Sequence, residues 1–174
     1  MYSVNVPVPD AVHGVVDDLR PLLTPFDRVR ERRTRSLVAK RLPADDRREY
    51  RENERRARDA LRGAPSFECR ISGVGVFENP PSGTSPVVYL AVESPGLHEV
   101  HRSLCDAFDP VPGMEGDDYT PHVTLARDLS GFRAQSALDD VLGVDLDSVT
   151  WTVEELEFRD ATHNERISTL ALPA

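Results

Sequence analysis

Apolar and polar side chains alternate from Tyr2 to Val8, a period of two that predicts a strand. The spacing then lengthens. Val12, Val15, Val16, Leu19, Leu22 and Leu23 fall near helical spacing, with Asp10 placed to cap the helix and Pro21 to bend or end it. Arg35 to Leu42 reads as a second strand, entered through the basic stretch Arg28 to Arg33. Asp45 to Arg62 is almost wholly charged, with Tyr50, Ala57 and Leu61 as a narrow apolar stripe. Glu52–Arg56 and Glu54–Arg58 stand four apart in the favourable order, so a solvent-facing helix is expected there. Its interleaved acids argue against a nucleic-acid patch despite the arginines.

Phe67 to Phe77 and Val87 to Val92 are expected strands, joined by Glu78-Asn79-Pro80-Pro81-Ser82-Gly83, a segment of strong turn chemistry. Ser94 and Pro95 open a helix with Leu97, Val100, His101, Leu104, Cys105 and Phe108 on one face. Asp109 to Asp118 reads as a loop, Tyr119 to Ala126 as a strand, and Ser130 as the cap of a helix reaching Leu142. Trp151 to Phe158 and Ile167 to Leu172 make a closing hairpin, with a bulge predicted where Glu154-Glu155 breaks the alternation. The order β-α-β-α-β-β-α-β-α-β-β is that of an α+β protein with helices outside a mostly antiparallel sheet system. Its two halves look alike.

Size and charge narrow the function. The 174 residues suffice for one domain or two small lobes sharing a core. The longest apolar run, Val87 to Val92, falls far short of the ~20 residues that span a bilayer. The start of the chain lacks the charged end and apolar stretch of an export signal. No membrane association and a cytoplasmic, monomeric protein are therefore expected. Cys69 and Cys105 form no metal or redox spacing. The net charge of −9 argues against a broad basic surface for nucleic acid. Lys40 is the only lysine; every other cation is arginine, and together with abundant Asp and Glu this is the usage of a salt-adapted chain. In molar salt the Debye length shrinks to ~3 Å, and counterion release adds little affinity for a long polyanion. A short phosphate-bearing end held in a pocket suits such a chain better.

The segment that carries chemistry is Tyr119-Thr120-Pro121-His122-Val123-Thr124-Leu125-Ala126-Arg127. On a strand, residues two apart share a face, so His122 and Thr124 project together while Val123 and Leu125 anchor in the core. An imidazole exchanges protons near neutral pH, and a neighbouring hydroxyl can hydrogen-bond a phosphoryl oxygen. Pro121 to Arg127 resembles the second signature of the two-histidine phosphoesterases, in particular their 2′,5′ RNA ligase and cyclic phosphodiesterase branch, and the element order is similar over nearly the whole chain. The resemblance implies a single domain over residues 1–174, with two pseudo-symmetric lobes around a central groove. It implies a histidine and a hydroxyl from each lobe facing one phosphate, acid–base catalysis without a metal or other cofactor, and RNA ends or small nucleotides as partners. Cyclic 2′,3′-phosphates and 2′,5′ linkages are the implied substrates.

The first lobe departs from this pattern. Its matching strand reads Arg33-Thr34-Arg35-Ser36-Leu37-Val38. Aligning Ser36-Leu37 with the family's hydroxyl-Leu pair puts Thr34 where a histidine belongs, and a slip of one puts Arg35 there. Neither exchanges a proton near neutrality. Both could hold phosphate beside Ser36, so Thr34, Arg35 and Ser36 are the expected phosphate-binding group, with His122 and Thr124 the catalytic pair. Of the other histidines, His101 reads as a packed core residue, His13 and His98 as solvated helix positions, and His163 as an exposed turn residue. An impaired enzyme, a non-catalytic phosphate-binding module and a ligand-free structural domain are the competing readings.

Overall fold

The computed structural model describes residues 1–174. The opening alternation becomes β1 (Tyr2–Val6), with Val4 and Val6 buried. The strands that follow are β2 (Arg28–Val29), β3 (Leu37–Leu42), β4 (Phe67–Phe77), β5 (Val87–Glu93), β6 (His122–Arg127), β7 (Thr150–Val153), β8 (Glu155–Asp160) and β9 (Glu165–Ala171). They form one sheet in the order β7-β4-β5-β6-β3-β1-β8-β9, with β2 laid on β6. Every pairing is antiparallel.

At the middle, β3 and β6 share a single pair, Leu37 opposite Val123, both wholly buried. Outward from this seam run β6-β5-β4-β7 on one side and β3-β1-β8-β9 on the other. Two four-stranded lobes are thus related by an approximate two-fold axis through Leu37 and Val123. The far ends of the sheet also meet. β7 belongs to one lobe and β8 to the other, yet only Glu154 separates them. The Leu172 N–H donates to the Glu154 carbonyl at 2.7 Å, and the Ser66 N–H to that of Pro173 at 2.7 Å. The sheet is therefore curled. Glu154-Glu155 is not the expected bulge in a hairpin but the point where the chain passes between lobes.

The helices lie outside. α3 (Arg47–Ala60) is capped by Asp46, which accepts from the N–H groups of Arg48 and Glu49 at 2.8 Å each. Ser94 caps α4 (Pro95–Ala107) by accepting from Leu97 N–H at 3.1 Å, and its hydroxyl donates to the Glu68 carbonyl. Leu97, Val100 and Leu104 of α4 bury into the core. The first helical run divides into α1 (Asp10–Asp18) and α2 (Arg20–Leu23), with Pro21 tolerated in the first turn of the second. Two caps differ from expectation. Asp10 is the first residue of α1 and pairs with Arg32 instead of capping. α5 (Ala134–Leu142) begins four residues after Ser130.

Candidate active site

β6 alternates for three residues and then breaks step. Opposite β5, Thr124 pairs with Tyr89 and Ala126 with Val88, which leaves Leu125 as an extra residue. This β-bulge buries Leu125 and Ala126 in succession and turns Arg127 back to the face of His122 and Thr124. β3 does the same. Asn5 pairs with Val38 and Val4 with Lys40, leaving Ala39 extra, and Arg41 returns to the face of Ser36 and Val38. From Ser36 to Arg41 the sequence of half-buried and buried positions is the same as from His122 to Arg127. The two-fold axis therefore matches Ser36 with His122, Val38 with Thr124, and Arg41 with Arg127. All six side chains line one cavity of about 320 Å³ at the seam.

This match corrects the alignment expected from sequence. The first-lobe counterpart of His122 is Ser36; neither Thr34 nor Arg35 holds that position. Thr34 lies in a short 3₁₀ turn, its hydroxyl donating to the Glu31 carbonyl at 2.9 Å. Arg35 points toward α1, with Nη2 3.1 Å from Asp17 and Nη1 3.3 Å from His13 Nδ1. Of the three expected phosphate-binding residues, only Ser36 lines the cavity with His122 and Thr124. None of the other four histidines lines it.

The His122 ring has a defined tautomer. Its Nδ1–H donates to the Thr120 carbonyl at 2.6 Å, leaving Nε2 with a free lone pair. Phe77 and Tyr89 flank the ring with centroids 5.1 and 5.3 Å away. Burial lowers the His122 pKa most; the Thr120 carbonyl works against this, and the Arg41 charge lowers it further. Burial thus favours the neutral imidazole.

Three arginines, Arg30, Arg41 and Arg127, share the cavity with one carboxylate, Asp118. Arg30 loses basicity first through desolvation and then through the Arg127 charge beside it. The Arg127 Nε is buried without a partner. Two like charges held close with an unfilled donor form a site for an anion. Gly83, at φ +80°, lets the 78–86 loop pass over Arg127: a Cβ there would lie 2.1 Å from its Nη1.

The wall from Gly113 to Tyr119 is fixed by an ion pair that the sequence did not announce. Lys40 and Glu115 side chains are each 1% exposed and meet at 2.6 Å. Glu115 also accepts from the N–H groups of Arg41 and Val111 at 2.9 Å each, and Lys40 donates to the carbonyls of Arg41 and Asp109. Burial by itself would raise the Glu115 pKa; the Lys40 bond and the two backbone donors outweigh it and hold the carboxyl below its usual range. Behind this wall, His101 donates from Nδ1 to the Ala39 carbonyl at 2.7 Å and accepts at Nε2 from Gly116 N–H at 2.9 Å. Its ring stacks on Tyr119 at 3.7 Å, and the Tyr119 hydroxyl donates to the Val38 carbonyl at 2.8 Å.

The sequence profile of the 2′-5′ RNA ligase superfamily matches residues 37–165. The chain belongs to this superfamily. The match takes in the whole His122 motif and begins one residue after Ser36. Over 87 residues the chain is 39% identical to an RNA 2′,3′-cyclic phosphodiesterase of Methanothermobacter thermautotrophicus. That stretch is 49% of this chain and 46% of the relative, so the chain spans about half the length of the curated relative it matches. A similar fold is seen in the crystal structure of TT0787 of Thermus thermophilus, with TM-score 0.66 and 19% identity over 90% of this chain and 86% of that one. It is seen again in E. coli LigT complexed with 3′-AMP, with TM-score 0.64 and 17% identity over 99% and 98%.

Proposed function

We propose that the protein opens 2′,3′-cyclic phosphates or cleaves 2′,5′ linkages at RNA ends, with His122 as general base. The observation that carries this is the His122 ring itself, anchored through Nδ1–H on the Thr120 carbonyl, its pKa lowered by burial, and lining an arginine-ringed cavity. Membership of the 2′-5′ RNA ligase superfamily and the likeness to an RNA 2′,3′-cyclic phosphodiesterase support the substrate class. Arg127 and Arg41 grip the phosphoryl oxygens, helped by the Thr124 hydroxyl and Arg30. Nε2 takes a proton from water as the water oxygen bonds to phosphorus. In the cyclic phosphate one ring P–O bond breaks, the alkoxide released takes a proton from solvent, and Nε2 returns its own proton to solvent. The arginines stabilise the charge that gathers on the way. Because lobe one offers Ser36 where an imidazole would protonate that alkoxide, the rate is reduced by a factor on the order of 10²–10⁴ relative to a paired site.

Ser36 and Val38 also support a second reading, a phosphate-binding module without turnover. A nucleoside 2′,3′-cyclic phosphate assay at high salt separates the two. Turnover that disappears in His122→Ala is expected; equal turnover by wild type and variant removes the proposal. Affinity for a nucleotide without turnover, lost in Arg127→Ala, establishes the module instead.

A further inference from the structure

Ser36 borders a second cavity as well, of about 210 Å³, on the lobe-one side of the seam. Arg32, Arg33, Arg35 and Arg159 line it against a single carboxylate, Glu157. In a chain of net charge −9, this is a local reversal of sign. Each of these arginines has a carboxylate partner: Arg33 reaches Glu31 at 2.9 Å, Arg159 reaches Glu157 at 2.8 Å, Arg35 reaches Asp17 at 3.1 Å, and Arg32 pairs with Asp10. The floor nevertheless keeps unfilled polar atoms. Asn5 lies on a central strand, is only 4% exposed, and its Oδ1 has no hydrogen-bond partner. The Nε of Arg35, whose side chain is 6% exposed, is likewise buried without one.

A buried acceptor and a buried donor left unfilled beside one small cavity cost free energy unless a ligand completes them. A nucleotide has both requirements: base and ribose groups that donate and accept, and a phosphate for the arginine rim. We infer that this cavity is a second nucleotide subsite, holding the residue next to the reacting terminal nucleotide, so that the preferred substrate is an oligonucleotide end. The inference rests on the proposed function, because the first cavity must hold the terminal phosphate. Ser36, common to both linings, marks where the chain would cross.

Steady-state hydrolysis of cytidine 2′,3′-cyclic phosphate and of a dinucleotide ending in the same cyclic phosphate tests it. In wild type the dinucleotide KM should be at least about tenfold lower, the size expected of one charge-assisted contact. Arg33→Ala/Arg159→Ala should erase that difference by raising the dinucleotide KM, and Asn5→Leu, similar in volume, should weaken it in a folded protein. Equal wild-type KM values, or a double variant that weakens both substrates alike, would overturn the subsite. If neither substrate turns over, the proposed reaction has failed, and affinity then decides the subsite. A 3′-phosphorylated dinucleotide must bind at least about tenfold tighter than cytidine 3′-phosphate by calorimetry; equal affinity overturns it.

Discussion

An imidazole placed at position 36 should complete the pair that the first lobe lacks. The two-fold match of Ser36-Leu37-Val38 with His122-Val123-Thr124, anchored by the Leu37–Val123 pair and the two bulges, puts the Cβ of residue 36 in the stance of the His122 Cβ. Ser36 faces cavity on both sides, so the larger ring has room. A positioned acid typically contributes ~10²–10⁴ in rate, or about 3–5 kcal/mol of barrier. Ser36→His should therefore raise kcat/KM for a nucleoside 2′,3′-cyclic phosphate by at least about a hundredfold, mostly in kcat. Thr34→His should give no gain, because that side chain sits in the 3₁₀ turn outside the cavity. The pH profile supplies an independent readout. In wild type the base must be neutral and its pKa is lowered, so activity rises through a single limb below pH 6.5 and stays level above it. The Ser36→His protein should add a descending limb at higher pH, because its new group must be protonated to act. A folded Ser36→His protein with no gain, or a gain equal to that of Thr34→His, would refute the two-fold assignment.

Other consequences are as direct. Gly83→Ala places a Cβ against Arg127 and strains a positive φ, so nucleotide affinity should fall by about tenfold in titration calorimetry; unchanged affinity would remove Arg127 from the grip. Glu115→Gln leaves the Lys40 charge buried without its counter-charge and should cost about 3–5 kcal/mol in urea denaturation, whereas Lys40→Met/Glu115→Gln, which removes that charge and keeps a side-chain acceptor for the Arg41 and Val111 N–H groups, should recover part of that loss. Because the folded Glu115 pKa is depressed, its stabilisation is present above the unfolded value of ~4.3 and is lost as pH falls through the lower folded value; Glu115→Gln should flatten that acid limb. Burial, first, lowers the His101 pKa, so the unfolded chain binds the proton more readily below 6.5 and stability should drop as pH falls through that region. His101→Gln should soften the drop, and an unchanged slope would show that Gly116 does not depend on the neutral ring.

Much of this was legible in the chain. Period-two and helical spacings located nearly every element, and the alternation of His122, Val123 and Thr124 placed the ring and the hydroxyl on one face, where both line the cavity. What escaped depends on pairings between distant segments. A bulge is defined by the partner strand, so strict alternation sends Arg127 and Arg41 to the wrong face and hides their place in the cavity. The two buried neighbours Leu125-Ala126, after a clean alternation, were the one local hint. The counterpart hint in lobe one was masked because Lys40 occupies the buried position, and only Glu115, 75 residues away, makes its burial tolerable. The choice among Thr34, Arg35 and Ser36 likewise turned on a single cross-strand pair.

The one-residue passage at Glu154 sets how the protein can move. The halves are joined at the back by continuous chain and in front at Leu37–Val123, two connections that oppose their swinging apart. With the Met114 side tied down by the Lys40–Glu115 pair, the turn bearing Gly83 is the rim at which the timing of product departure should be tuned. A chain trading speed for grip could alter that rim without disturbing the frame that carries it.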